Sequence, residues 1–273
     1  MYVSVQPMFS EQSCNLQSTR GVSDPQPSTT SALGRLSLVS LGVGDPDHMT
    51  LRALERIQQA DSVLVSSLLA ENYAGVLKGK KIFDAGHGLF SSLCRRQLSA
   101  DEGALIDEQE EKLSRWINTE IQAGRNLVIL EMGDPFFFGP QIGYLSAFSH
   151  LKPEVVPGIS SINAANAALA LSLLDGERSV RIGHWSLLEK MEPATQQEIR
   201  VLFCMGLDLT HVFELLSQQY PPGHPLSLVI DAGFQHQRVI SGSVASLTLS
   251  LKHTHLPWAC LIYLGVCKDE SDY

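Results

Sequence analysis

Two stretches of this 273-residue chain end an apolar run with glycine, aspartate and proline: LGVGDPDHMT at residues 41–50 and LEMGDPFFFG at residues 130–139. Glycine at a strand end lets backbone N–H and C=O groups approach a ligand closely, because it carries no Cβ. The neighbouring carboxylates, Asp45, Asp47 and Asp134, suit a cationic or hydroxyl-rich ligand better than a phosphate. The first loop lacks the third glycine of the dinucleotide fingerprint GxGxxG, since Asp47 stands there, and no GK[ST] follows it. Taken singly, each loop reads as no more than a tight turn.

The elements that must position these loops follow from periodicity. LSLVSLG (36–42) reads as a strand. LRALERIQQA follows it as a helix with Leu51, Leu54 and Ile57 on one face and Thr50 placed as its cap. DSVLVSS and KKIFDA are further strands. Ser99 opens a long helix with acidic residues early, ending at Gly124. NLVILE runs into the second loop, and QIGYLSAFSHL reads as helix. EVVPGISSINAANAALALSLL combines a short strand, a Pro-Gly turn and an alanine-rich helix. Strands are expected in RSVRIGH, VLFCMG, LSLVIDAG, QRVISGS and WACLIYLGV, with helices near 209–219 and 244–252.

Alternation of strands and helices predicts an α/β protein with mainly parallel sheets. About ten strands exceed a typical single sheet, so two consecutive αβα domains are expected, at 34–152 and 153–273. Ligands of such sheets bind beyond the carboxyl ends of the strands. Residues 1–33, rich in Ser, Gln, Thr and Pro, bury too little apolar surface to offset ordering and read as a flexible tail.

Composition narrows the function classes. A hydrophobic content of 44%, a charged content of 18% and a net charge of −9 suit a soluble globular chain and argue against non-specific nucleic-acid binding, although not against a local basic patch. KGKK (78–81) and Arg95–Arg96 are the candidates for such a patch and otherwise read as ordinary solvated surface. The five cysteines form no CxxC pair and read as free thiols in a reducing compartment, Cys204 and Cys260 as buried apolar residues. The nine histidines form no zinc pattern, so no metal is expected. There is no membrane-length apolar run and no secretory signal, and a cytoplasmic protein is the simplest expectation.

The ordered set of motifs resembles the tetrapyrrole methylases, the class III S-adenosylmethionine-dependent methyltransferases. SLGVGDPDHMTLRALERIQQADSVLV is similar to the family's GxGPGDPxxxT block, and MGDPFFFG to GGDPxxFG. VVPGISSINAANAAL, VLFCMGL and LVIDAGFQHQRVISGSVASL match three later blocks, so the resemblance covers residues 36–267. It implies two αβα domains with the cofactor, S-adenosyl-L-methionine, in the cleft between them. By the same resemblance Val43, Met132, Gly133, Asp134, Phe137, Ser160, Ser161, Met205 and Gly233 are the cofactor-binding positions. Asp134 would accept from ribose hydroxyls or the ammonium, and the backbone at Gly133, Met205 and Gly233 would bond adenine and the amino-acid end. Taken alone, Met205 and Phe137 would read as core and Ser161 as a helix cap.

The resemblance implies methylation of a tetrapyrrole, such as a corrin-ring precursor of cobalamin, and a homodimer. Departures from the pattern bear on the acceptor. Ser66 stands where several ring-methylating relatives carry an aspartate, and a serine cannot serve as a carboxylate base. Ser40 and Met132 replace glycines. His87, in DAGHG (84–88), is the candidate base or acceptor-orienting group, with His184 a second of the same sort. Lys80, Lys81, Arg95 and Arg96 are expected to meet the ring carboxylates. A peptide or protein acceptor, or a catalytically silent cofactor-binding protein, are the alternative functions.

Overall fold

The computed structural model describes residues 33–91, 98–174, 176–190, 192, 197–205, 209–251 and 254–268. The segment read as a tail lies outside them but for its last residue. The chain divides into two compact units, Met1–Gly42 with Met49–Gly158, and Val43–His48 with Ile159–Tyr273. Each has its own five-stranded sheet.

In the first unit the strands are β1 (Leu36–Ser40), β2 (Ser62–Val65), β3 (Lys81–Asp84), β4 (Leu127–Glu131) and β5 (Glu154–Val156). They run in the order β3-β2-β4-β1-β5 with every pairing parallel. β1, β2 and β4 are buried along their whole length, as parallel strands covered on both faces must be. One face packs Val39, Val63 and Leu130 against Ala53 and Ile57 of helix α1 (Leu51–Gln59) and Leu69 of α2 (Ser67–Asn72). The other packs Leu38, Leu64 and Ile129 against Leu113 and Ile117 of α3 (Ala100–Gln122) and Tyr144 of α4 (Gly143–Ala147).

Both expected caps are present. Thr50 accepts from the Ala53 amide at 3.1 Å, and Ser99 forms a reciprocal capping box with Glu102. The helix read in QIGYLSAFSHL requires correction. It is broken into a 3-10 turn (Pro140–Ile142), the short α4, and a second 3-10 turn (Ser149–Leu151). Phe148 leaves helical geometry while fully buried, its ring edge-on to Phe90 at 5.3 Å. Tertiary packing here overrides helical propensity.

The second unit contains β6 (Ser179–His184), β7 (Glu198–Phe203), β8 (Pro225–Ile230), β9 (Arg238–Ser243) and β10 (Cys260–Leu264). Their order is β6-β7-β10-β8-β9. α5 (Ser161–Leu169) covers one face, and α6 (Leu209–Gln219) and α7 (Val244–Leu251) the other. The α/β class is as expected, but parallel pairing extends here only to β6 and β7; β10 is antiparallel to β7 and β8, and β8 to β9. Residues 231–237 are too few for the crossover that a parallel β8–β9 pair would need. Cys204 and Cys260 are buried in one core as free thiols. Among the described residues no helix is long and apolar enough to cross a membrane.

Candidate functional site

Because every pairing in the first sheet is parallel, the carboxyl ends of its strands share one edge. Gly42, Ser66, the 84–88 loop and the bend at Met132–Asp134 all follow strand ends on that edge. The two GDP stretches meet there. Gly133 donates its amide to Gly42 O at 2.7 Å, forming an isolated antiparallel bridge, and both glycines have positive φ, 70° and 75°.

Ser40 strengthens the junction: its hydroxyl donates to Gly133 O and accepts from the Gly42 amide at 3.0 Å. A Cβ on Gly158, the glycine of VVPGIS, would lie 1.8 Å from Ser40 Oγ, so that glycine makes room for the serine. The departure at Ser40 is therefore a link between the two loops. The chain builds the bend twice because each braces the other.

A Cβ added to Gly133 would meet nothing within 4 Å, so an open space adjoins this bend. Asp134 Oδ1 accepts from the Phe136 amide at 2.8 Å, which fixes the carboxylate beside it. Phe137 is exposed together with Phe136 and Phe138, not core. Met132 is half-buried against the α1–α2 side of the sheet.

Two residues that sequence reasoning missed lie beneath this bend. Glu131 is 4% exposed; its carboxylate accepts from the Met132 amide at 3.0 Å and the Gln141 amide at 2.8 Å. Burial pushes its pKa up to about 7, against the downward pull of those two N–H groups. Gln141 Nε2 donates to Gly86 O at 2.8 Å. The only signal in the sequence was a carboxylate closing the apolar run NLVILE.

The 84–91 loop is fastened by its own Asp84, which accepts from the Gly86 amide at 2.9 Å. Tyr144 OH donates to Ala85 O at 2.7 Å, and Glu110 accepts from the Phe90 amide at 2.6 Å. His87 sits between Gly86 and Gly88, both at positive φ. Its side chain reaches solvent, yet the surrounding protein lowers its pKa by desolvation and favours the neutral, basic imidazole. Asp84 pairs in register with Val65, so the carboxylate lacking at Ser66 stands one strand across.

The expected role of the lysines is corrected. Lys80 and Lys81 precede or begin β3, at the opposite edge of the sheet from Asp84. Lys80 Nζ donates to Gln58 O at 2.6 Å and Ala60 O at 2.9 Å, neutralising the carboxyl end of α1. Arg95 and Arg96 lie outside the described residues.

In the second unit, Val43–His48 packs on the bend after β8. Asp45 donates its amide to Gly233 O at 3.1 Å, and its Oδ2 accepts from the Gln235 amide at 2.9 Å. The Asp45 carboxylate thus serves its own loop. His48 Nδ1 lies 2.8 Å from Val43 O, which makes Nδ1 the protonated nitrogen. Val43 is buried. A Cβ on Gly44 would fall 2.0 Å from Gly233 O, and one on Gly233 2.9 Å from Val43 O. Gly44→Ala is expected to lower the unfolding free energy by about 2 kcal/mol or more, from left-handed strain plus this clash; urea denaturation measures it. Gly233 also lines a cavity of about 350 Å³ with Asp45, Asp47, His48 and Ala164.

Met205 follows β7 and Gly233 follows β8. Both strands are antiparallel to β10, so these residues lie at one edge of the second sheet, as does His184 at the end of β6. Desolvation lowers the His184 pKa, and its Nδ1 lies 2.9 Å from Ser186 Oγ. Ser160, not Ser161, caps α5: it accepts from the Ile162 amide at 3.2 Å, and Asn163 returns a bond to the Ser160 amide. Ser161 is the first helical residue.

The family model for tetrapyrrole (corrin/porphyrin) methylases matches residues 35–248. The chain belongs to that family. It is 27% identical over 242 residues to siroheme synthase 2 of Yersinia enterocolitica, covering 85% of this chain and 48% of that protein. It is 29% identical to siroheme synthase 1 of Halorhodospira halophila, again covering 85% of this chain and 48% of the relative. The chain thus spans about half the length of these curated relatives. Among solved structures, uroporphyrin-III-C-methyltransferase of Thermus thermophilus is 26% identical with a TM-score of 0.59, covering 85% of this chain and 92% of that one. A cobalt precorrin-4 methyltransferase shares the fold at 20% identity, with a TM-score of 0.60 and coverage of 85% and 94%.

Proposed function

We propose that this protein transfers a methyl group from S-adenosyl-L-methionine to a tetrapyrrole, with a corrin- or sirohaem-type precursor as the acceptor class. The observation that carries the reading is the braced glycine pair, Gly42 and Gly133, in a chain of this family. Its left-handed backbone at Gly133 borders open space beside the Asp134 carboxylate.

When bound, the donor supplies an electrophilic methyl group on a positively charged sulfur. In this reading, which follows the family resemblance, the backbone of Met132, Gly133 and Phe137 bonds the donor, with Asp134 accepting from hydroxyl or ammonium groups. The same resemblance assigns donor contacts to the backbone at Val43, Met205 and Gly233 and to the hydroxyls of Ser160 and Ser161. Ser160 Oγ already accepts from an amide, so its O–H and one further lone pair remain for the donor. Rate enhancement comes chiefly from holding acceptor and methyl in line. His87, biased neutral by its surroundings, takes a proton from the acceptor or orients it. The free, buried Cys204 and Cys260 support a reducing, cytoplasmic compartment. Family resemblance supports a homodimer, which light scattering tests.

Calorimetric titration with the donor, followed by transfer from methyl-labelled donor to a panel of reduced tetrapyrroles and, in parallel, to a cell-extract peptide mixture, tests the assignment. Label on a ring supports it; label only on peptides would replace it with the other acceptor class. His87→Ala is expected to lower turnover about a hundredfold and leave donor affinity within about twofold. Unchanged turnover on the true acceptor removes His87 from the mechanism.

A further inference from the structure

We propose that Gln141 is a positioning residue that ties the loop carrying His87 to the GDP bend, through its backbone to Glu131 and through its side chain to Gly86. The inference rests on the reading that both loops serve methyl transfer, although the tie itself belongs to the free protein. The Glu131 carboxylate is shared between the Met132 amide at 3.0 Å and the Gln141 amide at 2.8 Å. From the same residue, Nε2 reaches across to Gly86 O at 2.8 Å. One side chain and one amide therefore connect residues 86 and 132.

The other half of the Gln141 amide points to the reason for this choice. Gln141 is 3% exposed, and its Oε1 is buried with no partner among the described residues. Burying an unpaired polar atom weakens a fold. A methionine would fill the same space without the stranded oxygen, so stability alone does not favour glutamine here. What glutamine adds is the bond to Gly86 O. Tyr144 and Glu110 fasten the same loop at Ala85 and Phe90. Of these three residues, Gln141 is the one that also bonds Glu131. The tie enters the loop at Gly86, immediately before His87, and so governs where the imidazole stands relative to Met132 and Gly133.

Gln141→Met tests this, because any residue but proline keeps the amide bond to Glu131 while methionine loses the bond to Gly86. The melting temperature is expected to stay level or rise. Hydrogen exchange in the free protein is expected to quicken about tenfold at the Ala85 and Gly86 amides, with the Met132 amide unchanged. With donor and acceptor, kcat falls about tenfold while the donor KM stays within about twofold. Unchanged exchange at Ala85 and Gly86, or faster exchange at Met132 as well, overturns the tie whatever the turnover. A loosened loop with unchanged kcat overturns the positioning role. If the loop loosens as expected but the wild-type protein transfers no methyl group, the tie stands and the methyl-transfer reading fails.

Discussion

Gly133→Val is expected to weaken donor binding about a hundredfold while the protein still folds. In the free protein an added Cβ at this position meets nothing within 4 Å. The folding cost is then that of left-handed backbone, about 1–2 kcal/mol, with a further increment for a β-branched residue. The bridge to Gly42 O uses the backbone amide and survives. What valine occupies is the open space beside Asp134, where the donor is proposed to approach the backbone. A hundredfold loss corresponds to about 3 kcal/mol. Calorimetric titration reads the affinity, and thermal unfolding confirms that the variant is native. Asp134→Asn, which retains an acceptor for the Phe136 amide, is the milder companion. An unaltered affinity in Gly133→Val would remove the GDP bend from the site.

Replacing Glu131 by glutamine changes how stability depends on pH. The folded pKa of Glu131, about 7, lies above its ordinary value of 4.5 because burial penalises the charge. Between those values the folded state holds a proton that the unfolded state has released, so stability falls as pH rises. The contribution of protonated Glu131 is complete below about pH 4.5 and is lost as pH passes through 7. At 1.36 kcal/mol per unit, the loss is about 3 kcal/mol. Glutamine does not ionise and is spared this loss. Its amide group does face one of the two N–H donors poorly, a cost that pH does not change. The readout is therefore the difference between variant and wild type across pH 4.5–8.5 in urea denaturation. The difference is expected to move in favour of Glu131→Gln by about 3 kcal/mol as pH rises; parallel curves would show that Glu131 ionises normally.

Much of the local structure was legible because its causes are local. Thr50 and Ser99 announce helix starts by side chains that satisfy orphan amides within three residues. In the first sheet β2 and β4 announce themselves by nearly continuous apolar runs, SVLV and LVILE. The two GDP bends were legible as strand-end glycines, but their bracing was not. It depends on Ser40, Gly133 and Gly158, which come together only when β1 has β4 and β5 as its neighbours. Spacing along the chain carries no trace of such a contact.

The same reason hid Gln141 and Glu131. A carboxylate at the end of an apolar run looks like the first exposed residue after a strand, whereas here an amide from ten residues on holds it inside. The ring-carboxylate role expected of Lys80 rests on charge alone. Strand direction puts Lys80 at the opposite edge, where its Nζ donates to the carbonyls of Gln58 and Ala60. In the second sheet β10, the last strand in sequence, lies between β7 and β8. The pattern of apolar residues within each strand does not encode that order.

The central claim is that these bends serve methyl transfer to a cyclic tetrapyrrole. The direct test incubates wild-type protein with S-adenosyl-L-methionine carrying a labelled methyl group and a reduced, carboxylated tetrapyrrole such as uroporphyrinogen III, then follows the label by mass spectrometry. The predicted result is label on ring carbon with one S-adenosylhomocysteine released per methyl transferred, and far less label in Gly133→Val at donor concentrations that saturate the wild type. Donor that binds but leaves every ring in the panel unlabelled, under conditions where a ring-methylating relative labels them, would contradict it.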